Sequence, residues 1–236
     1  MVGMSELQAV FWDMDGTLVD TEPYWIESEY ELVKAHGGSW SEEQAHLMVG
    51  QALDYSASLL QQAGVRMGTQ QIIELLTAQV VAKCAENIPW RPGARDLLAE
   101  LQAEQIRAAM VTMSFTPLAA AIHQALPAGQ LEFIVTGDMV TKGKPDPEAY
   151  HVAFEKMAAD HQDRTGAPLE RSRCIAIEDS VPGTAAAAAS GMVTLAVPHY
   201  TQLPETGQWH IFDSLHGARV EDLRRLLVHD PAPAAA

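Results

Sequence analysis

From Pro92-Gly93 to about residue 200 the chain alternates short apolar runs with longer amphipathic segments, which leaves few folds open. A helix near 94–104 precedes an expected strand at 107–112, and Thr116-Pro117 opens the next helix. Further strands are expected at 132–136, 174–178 and 193–197, with a helix from Pro147 and another over the alanine run 185–189. Such alternation predicts an α/β architecture: a doubly wound, Rossmann-like parallel sheet covered on both faces. One more strand is expected far upstream, in the apolar run Ala9-Val10-Phe11-Trp12.

Between that first strand and residue 90 the pattern is helical only. Thr21 can cap a helix with Pro23 in its first turn, running to Gly37-Gly38. Ser41-Glu42-Glu43-Gln44 is a capping-box pattern for a second. A third is expected from Gln51 to Ala63, stopping at Gly64. A fourth follows Thr69, with Ile72, Ile73, Leu75, Leu76, Val80 and Val81 at helical spacing. Four helices in succession predict a small bundle inserted into the sheet domain. The expected bounds are 1–19 and 91–230 for the sheet domain, 20–90 for the bundle, and a disordered low-complexity tail at 231–236. Trp25, Trp40, Met48 and Met67 are expected to form the core of the bundle rather than line a pocket.

In open parallel sheets, ligands sit beyond the carboxyl ends of the strands. Asp13 and Asp15 follow the first expected strand, Thr112 the second, Lys144 lies in the loop after the third, and Glu178 and Asp179 end the fourth. A hydroxyl, an ammonium and four carboxylates are thus predicted to share one rim. Like charges held that close repel, so a cation is expected among them. The chain carries 15 Lys plus Arg against 31 Asp plus Glu, a net charge of −16. Such a field disfavours nucleic acid and anionic membranes as partners, and an anionic substrate would need a local positive group. Lys142 and Lys144 compete for that part, and Pro145 favours Lys144.

This set suits phosphoryl transfer. Asp13 can attack phosphorus and form an aspartyl-phosphate. Mg²⁺ is expected on Asp13, Asp179 and a main-chain carbonyl, with Glu178 as a ligand or a structural partner. Asp15 can protonate the leaving alcohol and then deprotonate the attacking water. Thr112 and Lys144 are expected on the phosphoryl oxygens, with backbone donors from Gly16, Thr17, Met113 and Ser114. Glu22 is either a substrate-hydroxyl partner or a helix amino-terminal charge.

The run Asp13-Met-Asp-Gly-Thr-Leu-Val-Asp20, the strand-ending Thr112, Lys144-Pro145 and Glu178-Asp179-Ser180 resemble the four motifs of the haloacid-dehalogenase superfamily, in order, over roughly residues 8–200. The resemblance implies Asp13 as nucleophile, Asp15 as general acid/base, and Mg²⁺ held by Asp13, the Asp15 carbonyl and Asp179. The helical insertion looks like the family's small α-helical cap, and Asp20-Thr21-Glu22-Pro23 is similar to cap entries of the sugar-phosphate phosphatase and β-phosphoglucomutase branch. Dehalogenases of the family lack the second acid, so Asp15 argues against dehalogenation. β-Phosphoglucomutases carry a cap Arg shortly after a Gly; in Val49-Gly-Gln-Ala-Leu-Asp54 that place is Leu53, with Arg66 or Lys83 as the available substitutes. The expectation is therefore a hydrolase of a small phosphorylated metabolite such as a sugar or polyol phosphate. A mutase and a catalytically silent binding module are the alternatives.

Cys84 and Cys174 are far apart and outside any metal-type spacing, which predicts two reduced, buried thiols. No run of about 18 apolar residues and no signal-like amino terminus is present, so a cytoplasmic location is expected. A monomer or weak homodimer is the expected assembly.

Overall fold

The computed structural model describes residues 7–48, 53–204 and 207–228. The described residues form one sheet of six parallel strands in the order β3-β2-β1-β4-β5-β6. These are β1 (Ala9–Trp12), β2 (Arg107–Val111), β3 (Ile134–Val135), β4 (Cys174–Glu178), β5 (Val193–Ala196) and β6 (His210–Ile211). The order reverses direction at β1, which places the topological switch point beside its carboxyl end.

Both faces of the sheet are dry, and side-chain alternation divides each strand between them. Val10 and Trp12 of β1, Ala108 and Met110 of β2, and Ile175 and Ile177 of β4 enter one apolar cluster. That cluster is closed by α5 (Ala94–Ala103), α6 (Thr116–Ala125) and α9 (Val220–Leu226). Ala9, Phe11, Ala109, Val111, Cys174 and Ala176 face the other way, against α7 (Glu148–Thr165) and α8 (Val181–Ala189). Phe11, Trp12, Leu97, Leu98 and Leu101 are fully buried, each such side chain contributing roughly 1.5–3 kcal/mol.

The chain between β1 and β2 is helical, as expected: α1 (Glu22–Ala35), α2 (Glu42–His46), α3 (Leu53–Gln62) and α4 (Thr69–Glu86) precede α5. The capping box of α2 forms between Ser41 and Gln44. The two passages into and out of the insertion run side by side. Val19 bridges Trp90, the Asp20 N–H donates to Pro89 O at 2.8 Å, and the Arg91 N–H donates to Leu18 O at 2.9 Å. Gly93 then turns the chain at φ +82°, with a built Cβ only 1.9 Å from Leu215 O, so glycine is required there.

Some local expectations need correction. Strand β3 is two residues long rather than 132–136, and it is followed, after Thr136, by a 3-10 turn that starts at Gly137. β6 and α9 were not anticipated; a two-residue strand carries no periodic signal. Thr21 precedes α1 but its side chain caps nothing, being committed to Asp15 instead. The expected tail at 231–236 and the start of the third helix at Gln51-Ala52 lie outside the described residues. Both cysteines are free and buried, and no helix among the described residues is long and apolar enough to cross a membrane.

Candidate active site

The parallel register assembles the site. Trp12 lies opposite Met110 on one side and Ile177 on the other, so the next residues, Asp13, Val111 and Glu178, emerge at one level. The Asp13 N–H donates to Ile177 O at 3.0 Å, the last rung before the chain leaves the sheet. Carboxylate oxygens of Asp13, Glu178 and Asp179 all lie within 4.8 Å of one another. All three residues are buried.

One ammonium serves them. Lys144, its side chain 4% exposed, places Nζ 2.6 Å from Asp13 Oδ1, 2.6 Å from Glu178 Oε1 and 2.9 Å from Val111 O. Its rival Lys142 is exposed and reaches only Asp146. Burial alone would lower the Lys144 ammonium, but Asp13 and Glu178 outweigh it and hold it well above its ordinary range. Tyr150 donates its hydroxyl to Glu178 Oε1 at 2.6 Å. Three carboxylates against one ammonium leave a formal excess of two negative charges. Burial, then mutual repulsion, raises both Asp13 and Asp179 above the usual carboxylate range.

The donor set fits a divalent cation. Asp13 Oδ2 and Glu178 Oε2 are buried oxygens without a hydrogen-bond partner among the described residues. The residual charge is two, and oxygen donors suit Mg²⁺. Gly16, at φ +88°, leaves the space beside Asp179 open, since a Cβ there would fall 2.0 Å from Asp179 Oδ2.

Asp15 is kept apart from this cluster. The extended chain ends at Trp12, and the following turn, bridged from Asp15 to Val19, carries the second acid toward different partners. Thr21 donates to Asp15 Oδ1, while Ser114 Oγ and Thr112 Oγ1 donate to Oδ2 at 2.7 and 3.2 Å. Burial raises its pKa against the opposing pull of those hydroxyls. Its carboxylate is therefore not one of the clustered ligands, and only its main-chain carbonyl remains for that part. The Gly16 and Thr17 N–H groups, expected as phosphate donors, are spent inside the turn on Val19 O and Met14 O, at 2.7 and 3.3 Å. The Ser114 N–H is likewise committed, to Thr112 Oγ1 at 3.0 Å.

These groups form the floor of a cleft of about 950 Å³, its open mouth included. Met113, Ser114, Lys144 and Ser180 line it from the sheet side, and Thr17 does not. The opposite wall comes from the insertion and is mostly apolar: Trp25, Met48, Leu53, Ile72, Ile73 and Leu76. Trp25 and Met48 thus face the cleft rather than serving the insertion's core alone. Leu53, at the place compared with the cap Arg of β-phosphoglucomutases, lines the cleft with an apolar side chain. Neither Arg66 nor Lys83 lines the cleft; Lys83 pairs with Glu27 at 2.6 Å, and Lys144 is the only cation among the described lining residues.

Glu22 and Glu29, both on α1, are the acidic groups of that wall. Burial, reinforced for Glu22 by Glu29, raises each to about 8. Glu29 was not anticipated, nor were Tyr150 and Tyr200. Tyr200 lines the mouth and donates to Asp20 Oδ1 at 2.9 Å, beside the His199–Asp20 contact at 3.1 Å. None belongs to a strand end or a recognisable spacing; only the polar break in the apolar face of α1 could have marked Glu29.

The raised Glu29 carboxyl makes a stability prediction. Its folded pKa of about 8 exceeds the unfolded 4.5, so the folded state binds more protons and loses stability as pH rises between those values. Glu29→Gln should raise Tm relative to wild type at pH 8.5 and change it little at pH 5, with an upper limit of about 4–5 kcal/mol. Thermal melts at the two pH values check it, and an equal shift at both would contradict the burial argument.

A family model described as haloacid dehalogenase-like hydrolase matches residues 7–191. Protein CbbY of Cereibacter sphaeroides is 32% identical over 222 residues, covering 88% of this chain and 92% of that one. A phosphorylated carbohydrates phosphatase of Thermotoga maritima is 25% identical over 190 residues, covering 79% and 82%. The crystal structure of a CbbY variant from Rhodobacter sphaeroides, in complex with xylulose-(1,5)bisphosphate, matches with a TM-score of 0.80 at 27% identity, over 92% of this chain and 99% of that chain.

Proposed function

The chain belongs to the haloacid dehalogenase-like hydrolases, and from that premise we propose that it is a Mg²⁺-dependent phosphatase of a sugar or polyol monophosphate, working through an aspartyl-phosphate. The observation that carries this reading is the buried Asp13–Glu178–Asp179 cluster with Lys144 bridging two of its members. Relatives named for phosphorylated carbohydrates support the substrate class. We infer that the helical insertion, about residues 20–90, acts as a cap over the sheet domain.

Asp13, Asp179 and the Asp15 carbonyl would hold Mg²⁺, with Glu178 behind them. Bound there, the ion would neutralise phosphate charge and align it with the nucleophile. The chain's own residues do the rest. Lys144 holds Asp13 through Oδ1 and supplies positive charge to the phosphoryl oxygens. Asp13 attacks phosphorus, and the bond to the leaving alcohol breaks. Asp15, positioned by Thr21, Thr112 and Ser114, protonates that alcohol and then takes a proton from the water that hydrolyses the intermediate. The apolar wall of the insertion excludes bulk water, and Glu22 meets the leaving group. Two buried thiols accord with a cytoplasmic setting.

A phosphate-release screen over sugar phosphates, polyol phosphates, phosphoglycolate and nucleotides, with and without Mg²⁺, tests the reading. Turnover should require Mg²⁺, vanish in excess chelator and not return with Ca²⁺, whose larger and looser coordination misplaces nucleophile and phosphate. Full activity in chelator would overturn it. Isomer formation from a hexose 1-phosphate plus bisphosphate, without free phosphate, would instead establish a mutase. Asp15→Asn should lower kcat by about 10²–10⁴-fold on an alkyl phosphate and less on an aryl phosphate, whose leaving group needs little protonation. Equal losses on both would remove Asp15 from the acid role.

A further inference from the structure

Glu29 is a buried carboxyl that the proposed reaction leaves without a task. It is 4% exposed, lines the cleft, and its Oε2 has no hydrogen-bond partner among the described residues. The Trp40 indole N–H points to the Glu29 carboxyl and favours its charged form, without closing a full hydrogen bond to Oε2, and burial outweighs it. An unsatisfied buried carboxyl oxygen is costly, and folds retain one where something else supplies the missing bond. The rest of the insertion's wall is mostly apolar, with Met48, Leu53, Ile72, Ile73 and Leu76, and no described residue is bonded to that oxygen.

Its place on α1 indicates the ligand. Glu22, Trp25 and Glu29 recur at the i, i+3, i+7 spacing of one helix face, and all three line the cleft. Glu22 sits at the hinge end, within electrostatic reach of Asp15 and Asp20. Seven residues at about 1.5 Å rise place Glu29 roughly 10 Å further along the axis. An extended covalent chain advances about 1.2 Å per bond, so ester oxygen to terminal hydroxyl is about 5 Å for three carbons and 8 Å for six. A longer chain can touch both acids; a short one reaches Glu22 alone. With Lys144 the only cation among the described lining residues, the far end favours a hydroxyl over a second phosphate.

We propose that Glu29 is the distal specificity residue of the leaving-group pocket, hydrogen-bonding the terminal hydroxyl of a five- or six-carbon polyol or sugar monophosphate. This rests on the phosphatase reading above. A donor–acceptor pairing of this kind rejects a partner lacking the hydroxyl, because the carboxyl is again left unpaired.

The test compares wild type, Glu29→Gln and Glu29→Leu, each with Mg²⁺, on glycerol 3-phosphate, sorbitol 6-phosphate and its 1-deoxy analogue. Wild type should prefer sorbitol 6-phosphate over the other two by about tenfold or more in kcat/KM, and Glu29→Leu should bring that ratio down to about one. Glu29→Leu should also melt no lower than wild type at pH 8, since it removes an unsatisfied buried group; a purely structural Glu29 would give the opposite. Equal losses on all three substrates, or a lower Tm with the preference intact, would overturn the assignment while leaving the phosphatase reading in place. If Glu29→Leu does not fold, wild type hydrolysing the deoxy analogue as well as sorbitol 6-phosphate overturns it equally. Absence of phosphate release from every ester by wild type removes the phosphatase reading and this inference together.

Discussion

Replacing Asp13 with Asn should abolish phosphate release, by about 10⁴–10⁶-fold in kcat, while the protein folds and still binds its substrate. The size follows from the role: losing a covalent nucleophile removes the route itself, and what remains is the catalysis of the surrounding groups. The fold should tolerate the change because Asn matches Asp in shape and removes one charge from a site where three carboxylates share one ammonium. Lys144 Nζ keeps Glu178 Oε1 and Val111 O as partners, and an amide oxygen can still accept from it. Melting curves and substrate binding by calorimetry, beside kcat, separate this from unfolding. A variant retaining even a hundredth of wild-type kcat would remove Asp13 from the nucleophile's part.

Lys144→Met carries the second largest effect, and it falls on stability as well as turnover. Among the described residues the lysine is the one cation that Asp13 and Glu178 touch, and all three side chains are nearly or wholly buried. Removing one member of a buried ion pair leaves uncompensated charge and costs about 3–5 kcal/mol. The same change strips positive charge from the phosphoryl site, lowering kcat by about 10²–10³-fold. The sign of the pH dependence follows. Lys144 opposes the rise of Asp13 and Asp179, so without it both rise further above their unfolded values, and Lys144→Met should be least stable at neutral and higher pH and recover toward acid, where they are neutral. Millimolar Mg²⁺ should restore part of the lost Tm by binding the excess charge in the folded state only. Equal Tm values for variant and wild type at pH 7.5, with or without Mg²⁺, would contradict the electrostatic account of the cluster.

The convergence of the candidate residues was legible in sequence wherever they follow a strand. Asp13, Thr112, Lys144, Glu178 and Asp179 follow apolar runs whose parallel pairing fixes one rim, so their convergence follows from alternation alone. Turn geometry was not legible at that level. Two acids spaced by one residue share a side only in extended chain, and the turn after Trp12 sends Asp15 to Thr21, Thr112 and Ser114 instead. The same turn spends the Gly16 and Thr17 amides internally.

The insertion was readable as helices but not as a surface. Apolar spacing announces which residues of α4 are buried, yet it cannot separate Ile72, Ile73 and Leu76 as a cleft wall from the same residues as a bundle core. Glu29 and Tyr150 are isolated polar residues within helices, where periodicity treats them as noise. Their partners, or the want of them, exist only once the elements are packed.

The most direct measurement is mass spectrometry of enzyme quenched with acid milliseconds after mixing with Mg²⁺ and a hydrolysed substrate. The account predicts a phosphoryl adduct on the peptide bearing Asp13, forming and decaying at rates compatible with kcat and absent from Asp13→Asn. Phosphate released at full rate with no adduct on that peptide, or with the adduct on another residue, would contradict it.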